Sequence, residues 1–133
     1  MDTKITFALF GFVSLLIVVF AYAQTLSTPT ISSPSDGSSF NKGSTFSLTA
    51  STTCSGASKC NGVQLTANLP SGLSTSSANP QGCGSPQPET TCTKSWTVSA
   101  NSVGAYSITV SASSANAGNP TSSAISVNVT ANC

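Results

Sequence analysis

Few side chains in this sequence could carry out chemistry. The chain has no histidine, and its only carboxylates beyond the first residues are Asp36 and Glu89. A serine or cysteine nucleophile needs a neighbouring base, and a glycosidase needs two carboxylates that face each other across a cleft. Asp36 belongs to an Asp-Gly turn, and Glu89 lies in a loop between a proline and a threonine. The sequence therefore predicts no catalytic residue, no cofactor and no enzyme activity.

The other reactive side chains are five cysteines: Cys54, Cys60, Cys83, Cys92 and Cys133. No Cys-x-x-Cys pair, histidine or carboxylate cluster accompanies them, so no zinc or calcium site is expected. In an exported chain these spacings predict disulfides. The local pairs Cys54–Cys60 and Cys83–Cys92 are favoured, each closing one loop, although four cysteines allow three connectivities. Cys133 is then an unpaired thiol, either idle or available for a bridge to another chain.

Export is predicted from the N-terminus. Lys4 is followed by an almost wholly apolar run over residues 5–20 and by the motif Ala21-Tyr22-Ala23. A short basic start, an apolar helix and an Ala-x-Ala site are typical of a signal peptide, here residues 1–23 with cleavage before Gln24. The alternative is an uncleaved membrane anchor, for which the apolar run is close to the minimum length. The sequence therefore predicts one secreted or cell-surface domain over residues 24–133.

Charge excludes several classes of partner. The formal net charge is +1, and the whole chain contains only four lysines and no arginine. Nucleic-acid phosphates and anionic lipids require basic patches, which this chain lacks. The expected partners are an extracellular protein or polysaccharide, or other copies of the chain, with membrane contact only through an uncleaved N-terminal segment. One N-glycosylation sequon, Asn128-Val129-Thr130, lies in a polar–apolar alternating run, and modification of Asn128 would depend on the host.

Apolar and polar residues alternate in short runs along the mature chain, which is the period of a β-strand with one buried face. Turn-forming Pro, Gly, Asn and Asp residues separate the runs, and no useful window has helical spacing. An edge strand is expected over residues 26–32. A long disulfide-closed loop is expected over residues 74–91, either without strands or with one short strand. The sequence thus predicts an all-β, two-sheet antiparallel sandwich of about seven strands. The strongest runs cover residues 45–50, 63–69, 95–100, 106–112 and 125–131.

Several segments carry a resemblance to a known fold family. Residues 29–40 contain a Pro/Asp-Gly turn, Gly43 precedes the next run, Gly104-Ala105-Tyr106 opens another, and Cys92 leads into the Trp96 strand. These features resemble the immunoglobulin-like β-sandwich modules of archaeal and bacterial secreted or cell-surface proteins. The resemblance covers nearly the whole mature chain and implies the fold. It departs from antibody domains, because no cysteine pair is positioned for their inter-sheet disulfide, so the bridges are expected to close loops.

Two aromatic residues have alternative interpretations. Trp96 is expected to fill the core, but an exposed Trp96 would indicate stacking against carbohydrate. Tyr106 is expected either to form a tyrosine corner, with its hydroxyl bonded back to the preceding connection, or to lie half-buried with its hydroxyl in water.

Three functions agree with the sequence. The first is a non-enzymatic secreted or cell-surface interaction and adhesion module. The second is a self-assembling subunit of an extracellular filament or coat, joined through an edge strand. The third is an accessory carbohydrate-binding module.

Overall fold

The computed structural model describes residues 23–132, which form ten β-strands. The predicted signal peptide lies outside these residues except for Ala23, and so does Cys133. Within the described range no helix is long and apolar enough to span a membrane. The strands are β1 (Thr25–Leu26), β2 (Thr30–Ser33), β3 (Ser38–Asn41), β4 (Thr45–Ser55), β5 (Val63–Asn68), β6 (Leu73–Thr75), β7 (Gln81–Gly84), β8 (Thr91–Ala100), β9 (Gly104–Ser113) and β10 (Ile125–Thr130).

These strands form two five-stranded sheets. In the first sheet β1 and β2 both pair with β4, which is followed by β8 and β6. The second sheet has the order β3-β10-β9-β5-β7. Neighbouring strands are antiparallel except β3 and β10, which run parallel with Ser38 opposite Val127. The chain crosses from the first sheet to the second between β2 and β3.

The alternation of apolar and polar residues explains why the sheets pack face to face. Strand β4 buries Phe46, Leu48 and Ala50, while the residues between them point away from the core. Strands β5, β8, β9 and β10 show the same alternation, so all their buried side chains join one hydrophobic cluster. Burial of each Val, Leu or Ile side chain stabilises the folded state by about 1.5–3 kcal/mol. The two-sheet sandwich predicted from the sequence is therefore confirmed.

Two contacts between the sheets reinforce this core. The rings of Phe40 in β3 and Phe46 in β4 stack with centroids 4.3 Å apart. A disulfide joins Cys83 of β7 to Cys92 of β8. The sequence predicted this bridge only as the closure of a loop. Because β7 and β8 belong to opposite sheets, the bond also ties one sheet to the other, which corrects that description.

The connection before β9 is held by Tyr106. Its hydroxyl donates a 2.8 Å hydrogen bond to the carbonyl oxygen of Ser102, as a tyrosine corner requires. The ring also lies against the backbone of Gly72, in the turn between β5 and β6. The carbonyl oxygen of Gly72 in turn accepts a 2.9 Å hydrogen bond from the Asn101 N–H. One tyrosine thus fastens together two connections, each of which crosses from one sheet to the other.

The number and pairing of strands differ from the sequence prediction. The expected edge strand over residues 26–32 is divided into β1 and β2, which are separated by Pro29. Strand β3 was not predicted, and its parallel pairing departs from the expected all-antiparallel sandwich. The expected loop over residues 74–91 contains β7 and the end of β6. These short strands lack a clear apolar alternation, and their pairing depends on strands distant in the sequence.

A glycine series tests the packing of Tyr106. A Cβ atom at Gly72 would overlap the Tyr106 hydroxyl, and the φ of Gly72 is +105°. Gly72→Ala must therefore displace the ring, break its hydrogen bond and strain the backbone. We expect a loss of about 3 kcal/mol in the free energy of unfolding, measured by urea denaturation.

Two further glycines serve as matched controls. Gly37 has a positive φ of +85° but open space around its Cα, and Gly82 has open space and no positive φ. Gly37→Ala should cost about 1 kcal/mol, and Gly82→Ala should change stability by less than about 0.5 kcal/mol. Equal stability of the Gly72→Ala and Gly37→Ala variants would contradict the packing described for Tyr106.

Candidate interaction surface

The outer side of the first sheet carries an uninterrupted array of hydroxyl groups. The outward positions of β4 from Thr45 to Thr53 each pair in register with an outward position of β8, and every residue of these pairs is serine or threonine. We call these ten residues the hydroxyl face, and all of them are exposed or half-buried. They form the pairs Thr45–Ser99, Ser47–Thr97, Thr49–Ser95, Ser51–Thr93 and Thr53–Thr91.

The geometry of the hydroxyl face follows from the sheet. Neighbouring strands lie roughly 4.8 Å apart, and successive outward residues of one strand lie roughly 6.8 Å apart. Two of the cross-strand pairs are joined by 2.8 Å hydrogen bonds, namely Thr49 to Ser95 and Thr53 to Thr91. Because a hydroxyl both donates and accepts, a bonded pair retains further hydrogen-bonding capacity. The face is therefore a regular, uncharged hydrogen-bonding surface.

The outer side of the second sheet is also uncharged but has different chemistry. Here amide side chains interrupt the hydroxyls, and Asn68 donates hydrogen bonds to Thr109 and Ser111. Asn128, the residue of the predicted sequon, is exposed on this side of β10. We call the outward residues of β5, β9 and β10 the amide face.

Charged side chains of the described residues avoid both faces. Four of them lie in turns or loops: Asp36, Lys42, Lys59 and Glu89. Lys94 lies in β8, two residues after Cys92, and therefore on the side of the strand that faces the opposite sheet. Asp36 accepts a 2.7 Å hydrogen bond from the backbone N–H of Ser126, so its carboxylate positions the turn before β3.

The two carboxylates considered for catalysis lie at separate places. Asp36 is bonded to β10 of the second sheet, whereas Glu89 lies in the turn that leads into β8 of the first. Glu89 has a positive φ of 65°, and its N–H donates a 2.7 Å hydrogen bond to the Cys54 carbonyl oxygen. Across residues 23–132, no group of three or more His, Cys, Asp or Glu side chains is arranged to hold a metal ion.

Trp96 belongs to the core. Its side chain is 1% exposed, and its indole nitrogen has no hydrogen-bond partner within the described residues. A buried ring offers no surface on which a sugar could stack. The observation that would have favoured carbohydrate stacking, an exposed Trp96, is therefore not found.

The cysteines of the described residues form the two local pairs that the sequence favoured. Cys54 of β4 is bonded to Cys60, and both are almost completely buried. Cys83 and Cys92 form the second bond and are only half-buried. The first bond thus anchors the loop before β5 inside the core, and the second lies near the surface.

A surface groove of about 280 Å³ runs beside β2, and we call it the β2 groove. It is partly apolar, with Ile31 on one wall and Ile125 on the other. Strand β2 pairs only with β4, so its second edge borders this groove. Sequence reasoning missed the groove because its walls come from segments about ninety residues apart, which no local pattern connects.

Comparisons with known proteins find no match by sequence but several solved structures with a similar fold. No protein-family model matches the chain, and a search of curated proteins finds no significant match. The chain is similar to the CARDB domain of a Pyrococcus furiosus protein, solved in complex with di-metal ions, with a TM-score of 0.58 and 10% identity. That match covers 85% of this chain and 98% of the other.

Two further solved structures match the chain. The Niemann-Pick type C2 protein from Japanese carpenter ant matches with a TM-score of 0.50 and 11% identity, covering 83% of this chain and 95% of that one. Domains 4 and 5 of the S-layer protein SbsC match with a TM-score of 0.47 and 19% identity, covering 80% and 53%. At 10% and 11% identity, the matches to the CARDB domain and to the Niemann-Pick type C2 protein show the fold alone.

The strand order decides the type of sandwich. In the first sheet, the order β1/β2-β4-β8-β6 corresponds to strands A, B, E and D of an immunoglobulin domain. In the second sheet, the order β10-β9-β5 corresponds to strands G, F and C. The fold is an immunoglobulin-like β-sandwich. In this immunoglobulin-like sandwich the hydroxyl face is the outer side of strands B and E, and Tyr106 lies on strand F, where a tyrosine corner is expected.

The difference in burial between the disulfides predicts an order of reduction. A thiol or phosphine must reach a sulfur atom to break the bond, and Cys54–Cys60 is enclosed in the core. We expect mild reductant under native conditions to open Cys83–Cys92 at least about tenfold faster, because Cys54–Cys60 requires local unfolding first. Alkylation followed by peptide mass mapping identifies the opened pair. Reduction of Cys54 and Cys60 first, or at the same rate, would contradict the placement of the two bonds.

Proposed function

We propose that the chain is a non-enzymatic secreted or cell-surface interaction module that acts in adhesion. The observation that supports this proposal is the hydroxyl face. Soluble domains usually cover their surfaces with a mixture of acidic and basic side chains. This sandwich instead keeps ten paired hydroxyl-bearing positions free of charge and moves its few charged groups to turns or to an inward-facing position.

An uncharged, regular face favours an uncharged partner. Hydrogen bonds from an array of hydroxyls require no counter-charge, and a bulky or charged side chain at any of these positions would prevent close approach. The partner classes that fit are a neutral polysaccharide or a polar protein surface outside the cell. Binding of this kind depends little on ionic strength, because screening by salt weakens only interactions between charges.

The disulfides support the extracellular location. Stable disulfides persist in oxidising compartments and are rare in the cytosol. Both bonds of this chain stabilise connections rather than carry a reaction, since Cys54–Cys60 is buried and Cys83–Cys92 links two sheets. The non-enzymatic part of the proposal is supported by the separate structural positions of Asp36 and Glu89 and by the absence of histidine from the sequence.

Binding assays with a charged pair on each face test the proposal. Ser47 and Thr97 are an exposed cross-strand pair on the hydroxyl face, and Ser107 and Ser126 are an exposed cross-strand pair on the second sheet. The probes are insoluble neutral polysaccharides and isolated envelopes of the host cell. We expect the double variant Ser47→Lys/Thr97→Lys to weaken binding at least about tenfold, which corresponds to about 1.4 kcal/mol.

The matched control is Ser107→Lys/Ser126→Lys, which adds the same charge to the other sheet and should leave binding within about twofold. Raising the salt concentration should leave the affinity of the unmodified chain nearly unchanged. Equal weakening by both double variants, or binding that disappears with salt, would contradict the assignment of the hydroxyl face. Circular dichroism melts establish that both variants remain folded.

A second candidate is a self-assembling subunit, which the β2 groove favours. An extended segment of another copy could pair with the open edge of β2 and place apolar side chains against Ile31 and Ile125. Strand addition of this kind produces open filaments when the contact does not close on itself.

Negative-stain microscopy of the purified chain separates the two candidates. Filaments that disappear in the Ile31→Lys variant and persist in a Val103→Lys control would favour the subunit, because Val103 is exposed in a turn away from the groove. Separate particles at all concentrations would remove this second candidate.

A further inference from the structure

The sequon Asn128-Val129-Thr130 lies entirely within β10, and the pleat of the strand divides its residues. Val129 points into the core and is 2% exposed, whereas Asn128 and Thr130 are exposed on the outer side. The two polar groups that define the sequon therefore project from the same face of the sheet. An asparagine that faced the core could not carry a glycan in the folded sandwich, whereas the outward position of Asn128 can.

The surroundings of Asn128 leave room for a bulky substituent. In the ladder, Asn128 lies opposite Ser39 of β3 on one side and opposite Ala105 of β9 on the other. Both neighbours are small and exposed. No long side chain of an adjacent strand stands directly beside the Asn128 amide.

The Asn128 amide is also free of internal hydrogen bonds. Most asparagines of the chain use this group in the fold: Asn79, for example, bonds both backbone groups of Ala67, and Asn116 bonds the backbone of Asn61 and Lys59. Among residues 23–132 no hydrogen bond involves the side chain of Asn128. A substituent on its nitrogen would therefore disrupt no contact of the sandwich.

We propose that Asn128 is an N-glycan acceptor, modified before β10 joins the sheet. The reaction transfers an oligosaccharide from a polyprenyl phosphate or diphosphate carrier. The amide nitrogen Nδ2 forms a bond to C1 of the first sugar while the C1–O bond to the phosphate breaks. The carrier phosphate leaves with the bonding electrons, and one amide proton is released.

The order of the two events follows from the pairing of β10. In the folded sandwich β10 is hydrogen-bonded to β9 over residues 125–129 and to β3 over residues 127–130. The acceptor backbone is then fixed between two strands, and a transferase cannot enclose it. It is accessible only while β10 is undocked, after export has exposed the chain to the carrier.

A glycan on Asn128 would make the two outer faces differ in accessibility. It would cover the part of the second sheet formed by β3, β10 and β9, and it would leave the hydroxyl face open. This inference stands apart from the proposed function, since it depends on neither the partner nor the role of the hydroxyl face.

Expression in a host that transfers oligosaccharides to sequons tests the acceptor. Intact-mass measurement should show the mass of one oligosaccharide on the exported chain and on Thr130→Ser, which keeps the hydroxyl. Thr130→Ala and Asn128→Gln should carry none, and a peptide-N-glycosidase should remove the glycan. An unmodified native chain, or a glycan that persists in Thr130→Ala and Asn128→Gln, would overturn the assignment.

A reconstituted transfer reaction tests the order of events. The acceptors are the folded chain from a host without a transferase and a synthetic peptide of residues 123–132, each with purified transferase and lipid-linked oligosaccharide. We expect the peptide to be modified at least about tenfold faster, because the folded chain must first release β10. Equal rates would overturn the order of events, and failure of the peptide to react would overturn the acceptor assignment.

Discussion

The structure depends on one constraint, which is that every long strand must bury its aliphatic side against the opposite sheet. With very few charged residues, ion pairs supply little of the stability, and the hydrophobic cluster between the sheets carries it. Leu48, Trp96 and Val110 are completely or almost completely buried in that cluster. The same alternation that hides these residues places serine and threonine outside. The core and the hydroxyl face are therefore two consequences of one sequence pattern.

The remaining contacts fix how the two sheets are joined. Tyr106 ties the turn at Gly72 to the connection before β9, and the Cys83–Cys92 bond ties β7 to β8. The turn at Asp36 guides the chain from the first sheet to the second by accepting a hydrogen bond from β10. These contacts lie at the periphery of the sandwich and leave the outer faces exposed.

The long strands and the sandwich could be predicted because each run carries its own period-two signal. The favoured disulfides follow from local spacing, whereas the sequence left the corner at Tyr106 as one of two alternatives, and its hydrogen bond to Ser102 decides between them. Strand β3 was missed because its parallel partner lies about ninety residues away. A short strand was one alternative for the loop that contains β7, but the proline and glycine residues of that loop gave neither its bounds nor its pairing with β5. The hydroxyl face required the register of β4 against β8, and that register depends on which strands become neighbours.

Amide hydrogen exchange measured residue by residue tests the central claim that one shared core holds both sheets. Strands β4 and β9 lie in the middle of the first and second sheets and hydrogen-bond on both sides. If one core stabilises both, their slowest amides should exchange only through global unfolding and give the same free energy, while β1 and β7 exchange sooner. Slowest amides in β4 and β9 that differ by several kcal/mol, or that are unprotected, would contradict the account.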